Sequence, residues 1–178
     1  MFGWLKRFRK RSPWILHYNA GSCNGCDIEI LSLLSPAYDL ERFGVLNRGN
    51  PKQSDILLVT GPVTKRARER VVELYAQMPE PKVVVSVGSC TCTGGVFRGM
   101  YHCEDGLDRY LPVDVYIPGC AARPEQMIDG IVEATKILEQ KNKAIQKPFR
   151  LFGRLTEEKN QTDRREMAAT VEAPHDQH

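Results

Sequence analysis

The sequence of 178 residues contains no run approaching the roughly 18–20 apolar residues that a membrane-spanning helix needs. Its N-terminus lacks the apolar core, roughly 7–15 residues long, of a secretory signal. These two absences make a location on the cytoplasmic side of a membrane the expectation. There is one CxxC, Cys23 and Cys26 in "NAGSCNGCDIEI", and no second one, so a paired zinc knuckle would be missing its other half. No internal repeat of fixed period occurs. Neither sign of charge dominates: the formal net charge is +3, and no nucleic-acid partner is expected.

What is present is ordinary for a globular chain. An apolar content of 42% with 26% charged residues is enough to bury a core without disulfide staples. Six cysteines in a chain expected to sit in a reducing compartment therefore argue for metal binding or catalysis, not a disulfide scaffold. The charge is unevenly spread. Residues 1–14, "MFGWLKRFRKRSPW", carry five Lys or Arg and no acid, interleaved with Phe2, Trp4, Leu5, Phe8 and Trp14. Such a segment can lie on an anionic membrane surface, or serve as a solvated arm touching partner subunits. Residues 1–12 are read as this basic arm, 13–140 as the folded domain, and 141–178 as a C-terminal extension, partly flexible because its last stretch has few large apolar residues.

Within 13–140 short apolar runs alternate with helical patterns. Strands are expected at 14–18, 55–61, 82–88 and 113–119. Helices are expected at 27–35, ended by Pro36, at 64–78, and at 123–140 with Pro124 in the first turn. Alternating strands and helices predict an α/β fold: a flavodoxin-like, doubly wound parallel sheet with helices on both faces.

In such a sheet ligands bind at the carboxyl ends of the strands. Cys23 and Cys26 follow the first strand, Cys90 and Cys92 follow 82–88 in "VGSCTCTGG", and Cys120 follows 113–117 in "IPGC". Four thiolates arriving from loops can hold zinc or an iron–sulfur cluster. One CxxC with two single partners far apart in sequence suits a cluster seated on a preformed edge. Gly21, Gly25, Gly88, Gly94, Gly95 and Gly119 would let backbone approach it. A thioredoxin-like thiol pair is the competing reading of the CxxC, but it leaves Cys90 and Cys120 without a role. Cys90 is preferred to Cys92 because it directly follows the strand and "GSC". Cys92 and Cys103 read as free thiols near the site, His17 as a packed or hydrogen-bonded strand residue, and His102 as a loop residue near the site.

"SPWILHYNAGSCNGCDIEIL", "YDLERFGV", "DILLVTGPVT", "MPEPKVVVSVGSC", "TGGVF" and "PVDVYIPGCAARPEQMIDGIVEA" resemble the small subunit of membrane-bound, energy-converting [NiFe] hydrogenases of the Ech, carbon-monoxide-induced and formate-hydrogenlyase group. They are similar as well to the terminal-cluster subunit of respiratory complex I. The resemblance spans about residues 12–140. It implies one [4Fe-4S] cluster, proximal to the active site of a large partner, with Cys23, Cys26, Cys90 and Cys120 as ligands. Complex I carries adjacent cysteines where this chain has "CNGC", and the spacer resembles the hydrogenase branch. Nickel-free relatives such as sulfane reductases keep a similar small subunit. Hydrogenase small subunits with further clusters carry extra cysteine motifs beyond the first domain, and none occurs here. The resemblance therefore implies a ferredoxin-like two-cluster subunit as electron partner, a large subunit holding the NiFe centre, and membrane ion-translocating subunits, with this chain peripheral on the cytoplasmic face.

The expected role is a one-electron relay with no complete active site in the chain itself. Arg98, Met100 and His102, between Cys90 and Cys120, are candidates for tuning the potential. Asp27 and Glu29 follow Cys26. Asp27 reads first as an acid complementing a helix dipole, and Glu29 as a proton-relay candidate at the expected interface. A zinc-stabilised scaffold subunit without redox role stands as the alternative of a different class.

Overall fold

Apolar runs without polar alternation need cover on both faces, and the two strongest such runs lie inside the sheet. The computed structural model of the chain describes residues 12–143. Its strands are β1 (Trp14–Asn19), β2 (Leu46–Asn47), β3 (Ile56–Thr60), β4 (Val83–Val87) and β5 (Val115–Ile117). All pairings are parallel, in the order β2-β1-β3-β4-β5. This is the doubly wound, flavodoxin-like order. The register sets Ile15 beside Ile56, Ile56 beside Val83, and Val85 beside Val115.

The helices are α1 (Gly25–Leu34), α2 (Lys65–Gln77), α3 (Ser89–Thr93) and α4, residues 124–143. Strand side chains alternate between the two faces, and the core divides accordingly. Ile15, Ile56, Leu58, Val83, Val85 and Val87 pack against Ile30 and Leu33 of α1 and Met127, Ile131, Ala134 and Leu138 of α4. Leu16, Leu57, Val59 and Val84 face the other way, onto Val71 of α2 and onto Leu107 and Leu111. Among the described residues no helix is long and apolar enough to cross a membrane.

Three local features differ from the sequence expectation. α1 starts at Gly25, two residues early, because Asn24 takes a left-handed backbone (φ 68°) that turns the chain sharply into the helix. Cys26 therefore sits in the first turn. The helix stops at Leu34, with Ser35 already extended, as a residue before proline must be. β2 has no counterpart in the expected strands: two residues carry no periodicity, and pairing with Trp14 and Ile15 defines it. α3 stands where a loop is expected. Its five residues close at Gly94 (φ 84°).

Contacts define one unit ending at Lys141 and a second from Asn142, of which only residues 142 and 143 are described. The basic arm expected at 1–12, Ser12 apart, and the C-terminal extension beyond residue 143 lie outside the described residues.

Candidate functional site

Three loops leave the carboxyl ends of β1, β4 and β5, and all three carry cysteine. Backbone hydrogen bonds tie them into one edge. Gly88 N–H donates to Ile117 O (2.8 Å) and Ser89 N–H to Gly119 O (2.9 Å), joining the Cys90 loop to the Cys120 loop. The buried Thr91 hydroxyl lies 2.8 Å from Gly61 O and 2.9 Å from Val87 O. Gly61 in turn lies against Ser22, where a Cβ would meet the Ser22 amide nitrogen at 2.3 Å. The CNGC loop is thereby braced on the end of β3.

Cys26 and Cys90 are half-buried, Cys23 and Cys120 are exposed, and all four are free thiols. Cys26 and Cys90 each lie within electrostatic reach of the other three. Burial first pushes the Cys90 thiol above its ordinary value, and neighbouring Cys120, Cys26 and Cys23 add to it. Burial likewise raises Cys26. The Ala122 backbone N–H on its sulfur opposes this, and Cys23, Asp27 and Cys120 raise it further. Thiols held above their usual range stay protonated at neutral pH until a metal displaces the proton.

Two glycines make room for these sulfurs. At Gly88 (φ 89°) an added Cβ would stand 2.7 Å from Cys26 Sγ, and at Gly95 (φ 52°) 3.3 Å from Cys90 Sγ. Among the described residues no group of three or more His, Cys, Asp or Glu side chains is already arranged to hold a metal ion. Four cysteine donors from three strand-end loops, with glycine backbone against Cys26 and Cys90, are a donor set that an iron–sulfur cluster takes.

Cys92 turns away. Its Sγ lies 3.4 Å from Ser86 Oγ and near the carbonyls of Ser86 and Ile117, beneath the loop. Cys103 is half-buried in a bridge with Thr64, within electrostatic reach of Cys90. Arg98, Met100 and His102 are exposed, and the His102 ring meets Tyr101 at 4.2 Å. Glu29 is half-buried on α1.

Sequence reasoning missed the surroundings of Asp27. Its carboxylate accepts from Thr60 Oγ1 (2.6 Å) and from Asn19 Nδ2 (2.6 Å), and lies 3.0 Å from His17 Nε2. Only an unexplained polar trio, His17 within β1 and Asn19 and Thr60 at the ends of β1 and β3, could have signalled it.

A family profile described as NADH ubiquinone oxidoreductase, 20 Kd subunit, matches residues 23–134. The chain belongs to this family. The 20 Kd subunit family is one of oxidoreductase subunits, and its members resemble the chain over most of the described residues. A probable membrane-bound hydrogenase subunit of Pyrococcus furiosus is 52% identical over 134 residues, which is 75% of this chain and 80% of that one. Formate hydrogenlyase subunit 7 of Escherichia coli is 43% identical over 74% of this chain and 52% of its own length. An NADH-quinone oxidoreductase subunit of Chlorobium limicola is 48% identical over 64% of this chain and 60% of its own length. Among solved structures, a chain of an archaeal membrane-bound sulfane sulfur reductase superposes with TM-score 0.66 at 41% identity, over 78% of this chain and 75% of that one. A Ni-Fe-Se hydrogenase of Desulfomicrobium baculatum shares the fold alone, with TM-score 0.54 at 16% identity over 68% and 61%.

Proposed function

We propose that the chain is the electron-transfer subunit of a membrane-bound [NiFe] hydrogenase complex, and that Cys23, Cys26, Cys90 and Cys120 hold one [4Fe-4S] cluster. The observation that carries this is that four free thiols follow three parallel-strand ends on one glycine-lined edge. When bound, the cluster supplies one-electron transfer, here between a ferredoxin-like subunit and the NiFe centre of the large subunit, for proton reduction or hydrogen oxidation coupled to ion translocation.

The chain's own residues bind, position and shield. The four thiolates ligate, and the Ala122 N–H on Cys26 stabilises its charge. Ile28 (62% exposed) and Leu31 (66%) on α1, with Val96 (81%) and Tyr101 (80%) after Cys90, give this side apolar surface suited to burial against a large subunit. Glu29, on the same helix, is proposed to hold and pass a proton at that interface. The chain would sit peripherally on the cytoplasmic face, beside membrane ion-translocating subunits.

The test is chemical. Anaerobically purified complex should be brown and carry about four irons and four sulfides per copy of this chain, with an EPR signal on reduction. Colourless protein holding zinc without sulfide would establish the zinc scaffold instead. Glu29→Gln should slow proton turnover and leave the EPR signal intact. Unchanged turnover removes Glu29 from the path.

The sulfane sulfur reductase chain, at 41% identity, favours a second reading, the equivalent subunit of a nickel-free complex. Nickel analysis of the co-purified large subunit, and a search of its sequence for two CxxC pairs, separate the two.

A further inference from the structure

Asp27 is the residue after Cys26, and its side chain is only 15% exposed. An acid serving only the helix dipole needs no hydrogen-bond partners on other elements. This one is bonded on both oxygens. Oδ1 accepts the Thr60 hydroxyl of β3 and lies beside Nε2 of His17 on β1. Oδ2 accepts Nδ2 of Asn19, at the end of β1. The orientation of the Asn19 amide is not free. Its Oδ1 accepts two backbone N–H groups, from Gly21 (2.8 Å) and Ser22 (2.7 Å), so Nδ2 must face Asp27. Ser22 Oγ continues the chain by accepting the Asn24 N–H (3.0 Å). Asp27 follows the second cysteine of CNGC, and Gly21 and Ser22 precede the first. One bonded path therefore runs from β3 through the carboxylate and the amide to the far side of the ligand loop.

We propose that Asp27, with Asn19, Thr60 and His17, is a latch that fixes the spacing of Cys23 and Cys26, which makes Asp27 a positioning residue for the cluster. The proposal rests on the reading of these cysteines as cluster ligands. Its logic is donor against acceptor. A carboxylate offers acceptors to both Thr60 and Asn19, whereas an amide at the same position must offer one partner its NH2. Asp27→Asn keeps the shape, loses the charge, and accepts on one side only: its NH2 either opposes Asn19 Nδ2 or turns to Thr60 Oγ1, whose hydroxyl must then accept where it now donates. The double variant Asn19→Asp/Asp27→Asn restores complementarity, because the carboxylate then stands at position 19. It can accept the Gly21 and Ser22 amides with one oxygen and the new side-chain amide with the other. The double variant also removes the negative charge from the first turn of α1.

Both variants, prepared in the intact complex, are compared with the native protein by EPR line shape, by the rate of iron loss to a chelator, and by hydrogen exchange at Gly21 and Ser22. In Asp27→Asn we expect a broadened signal, iron loss about 10–100-fold faster, the cost usual for an outer-shell partner of a metal ligand, and faster exchange at the two amides. In the double variant all three should return toward native. A single variant indistinguishable from native overturns the latch. So does a double variant as poor as the single one, since that outcome assigns the role to the charge at the helix terminus. If the native protein carries no iron and sulfide, the cluster reading falls, and the exchange data alone decide the latch. Unchanged exchange in Asp27→Asn overturns it, and faster exchange with recovery in the double variant supports it.

Discussion

Gly88→Ala tests how closely the backbone is fitted to the sulfur of Cys26. Gly88 has φ 89° and ψ 154°, a region that side chains all but exclude. Holding an alanine there costs about 1–3 kcal/mol. For a chain of this size that is a fall in melting temperature of about 2–12 °C. The steric effect is separate. The new Cβ would stand 2.7 Å from Cys26 Sγ and 3.5 Å from Gly119 O. Ordinary non-bonded contact begins near 3.5 Å, so the sulfur must retreat by about 1 Å. Metal–ligand bonds tolerate about 0.2 Å, so cluster assembly should fail even where the chain still folds. The assay pairs thermal melts of the full-length chain with iron and sulfide analysis of the anaerobic complex. Gly49→Ala is the control, since a Cβ there meets nothing within 4 Å. It should change stability by less than about 0.5 kcal/mol. A Gly88→Ala protein with native iron and sulfide content and a native melting temperature would refute the reasoning.

Cys90→Ala should abolish iron loading while Cys92→Ser retains it, because only Cys90 shares the edge with the other three thiols; metal analysis showing the reverse would exchange their roles. Thr91→Val keeps the buried shape but leaves Gly61 O and Val87 O without the hydroxyl, and should cost about 1–3 kcal/mol in urea denaturation. A cost near zero would show that those carbonyls find other donors. The Tyr75 phenol is held above its usual 10.0, first by burial and then by Glu80 and Asp114. The fold therefore favours its neutral form, and this contribution is fully present below about pH 10 and lost as pH rises through the folded value. Tyr75→Phe should lose stability less steeply above pH 10 than the native chain, and equal slopes in urea midpoints against pH would count against the assignment.

Much of this protein is legible in the chain because its signals are local. Seven-residue runs such as "DILLVTG" and "KVVVSVG" have one stable use, as strands covered on both faces, and the helical patterns between them demand parallel crossovers. Once the sheet is parallel, residues following strands share an edge, and that places Cys23, Cys26, Cys90 and Cys120 together before any coordinates. β2 escapes notice because two residues have no period, and α3 because five residues close as a helix only where Gly88 and Gly94 take positive φ. Asp27 does stand in the first turn of α1, as expected, but its partners escape notice for another reason. A helix-start acid looks the same in sequence whether it faces water or three partners on two strands.

The sequence by itself determined the fold class, the family and the set of thiols at the sheet edge, since periodicity, strand order and the positions of cysteines after strands are properties of short stretches of chain. Only the tertiary structure decided that Cys92 turns under the loop toward Ser86, that Gly88 yields to the Cys26 sulfur, and that Asp27 is bonded across to Thr60 and Asn19. Those facts depend on which atoms meet across β1, β3, β4 and β5, and residues tens of positions apart carry no local mark of their meeting.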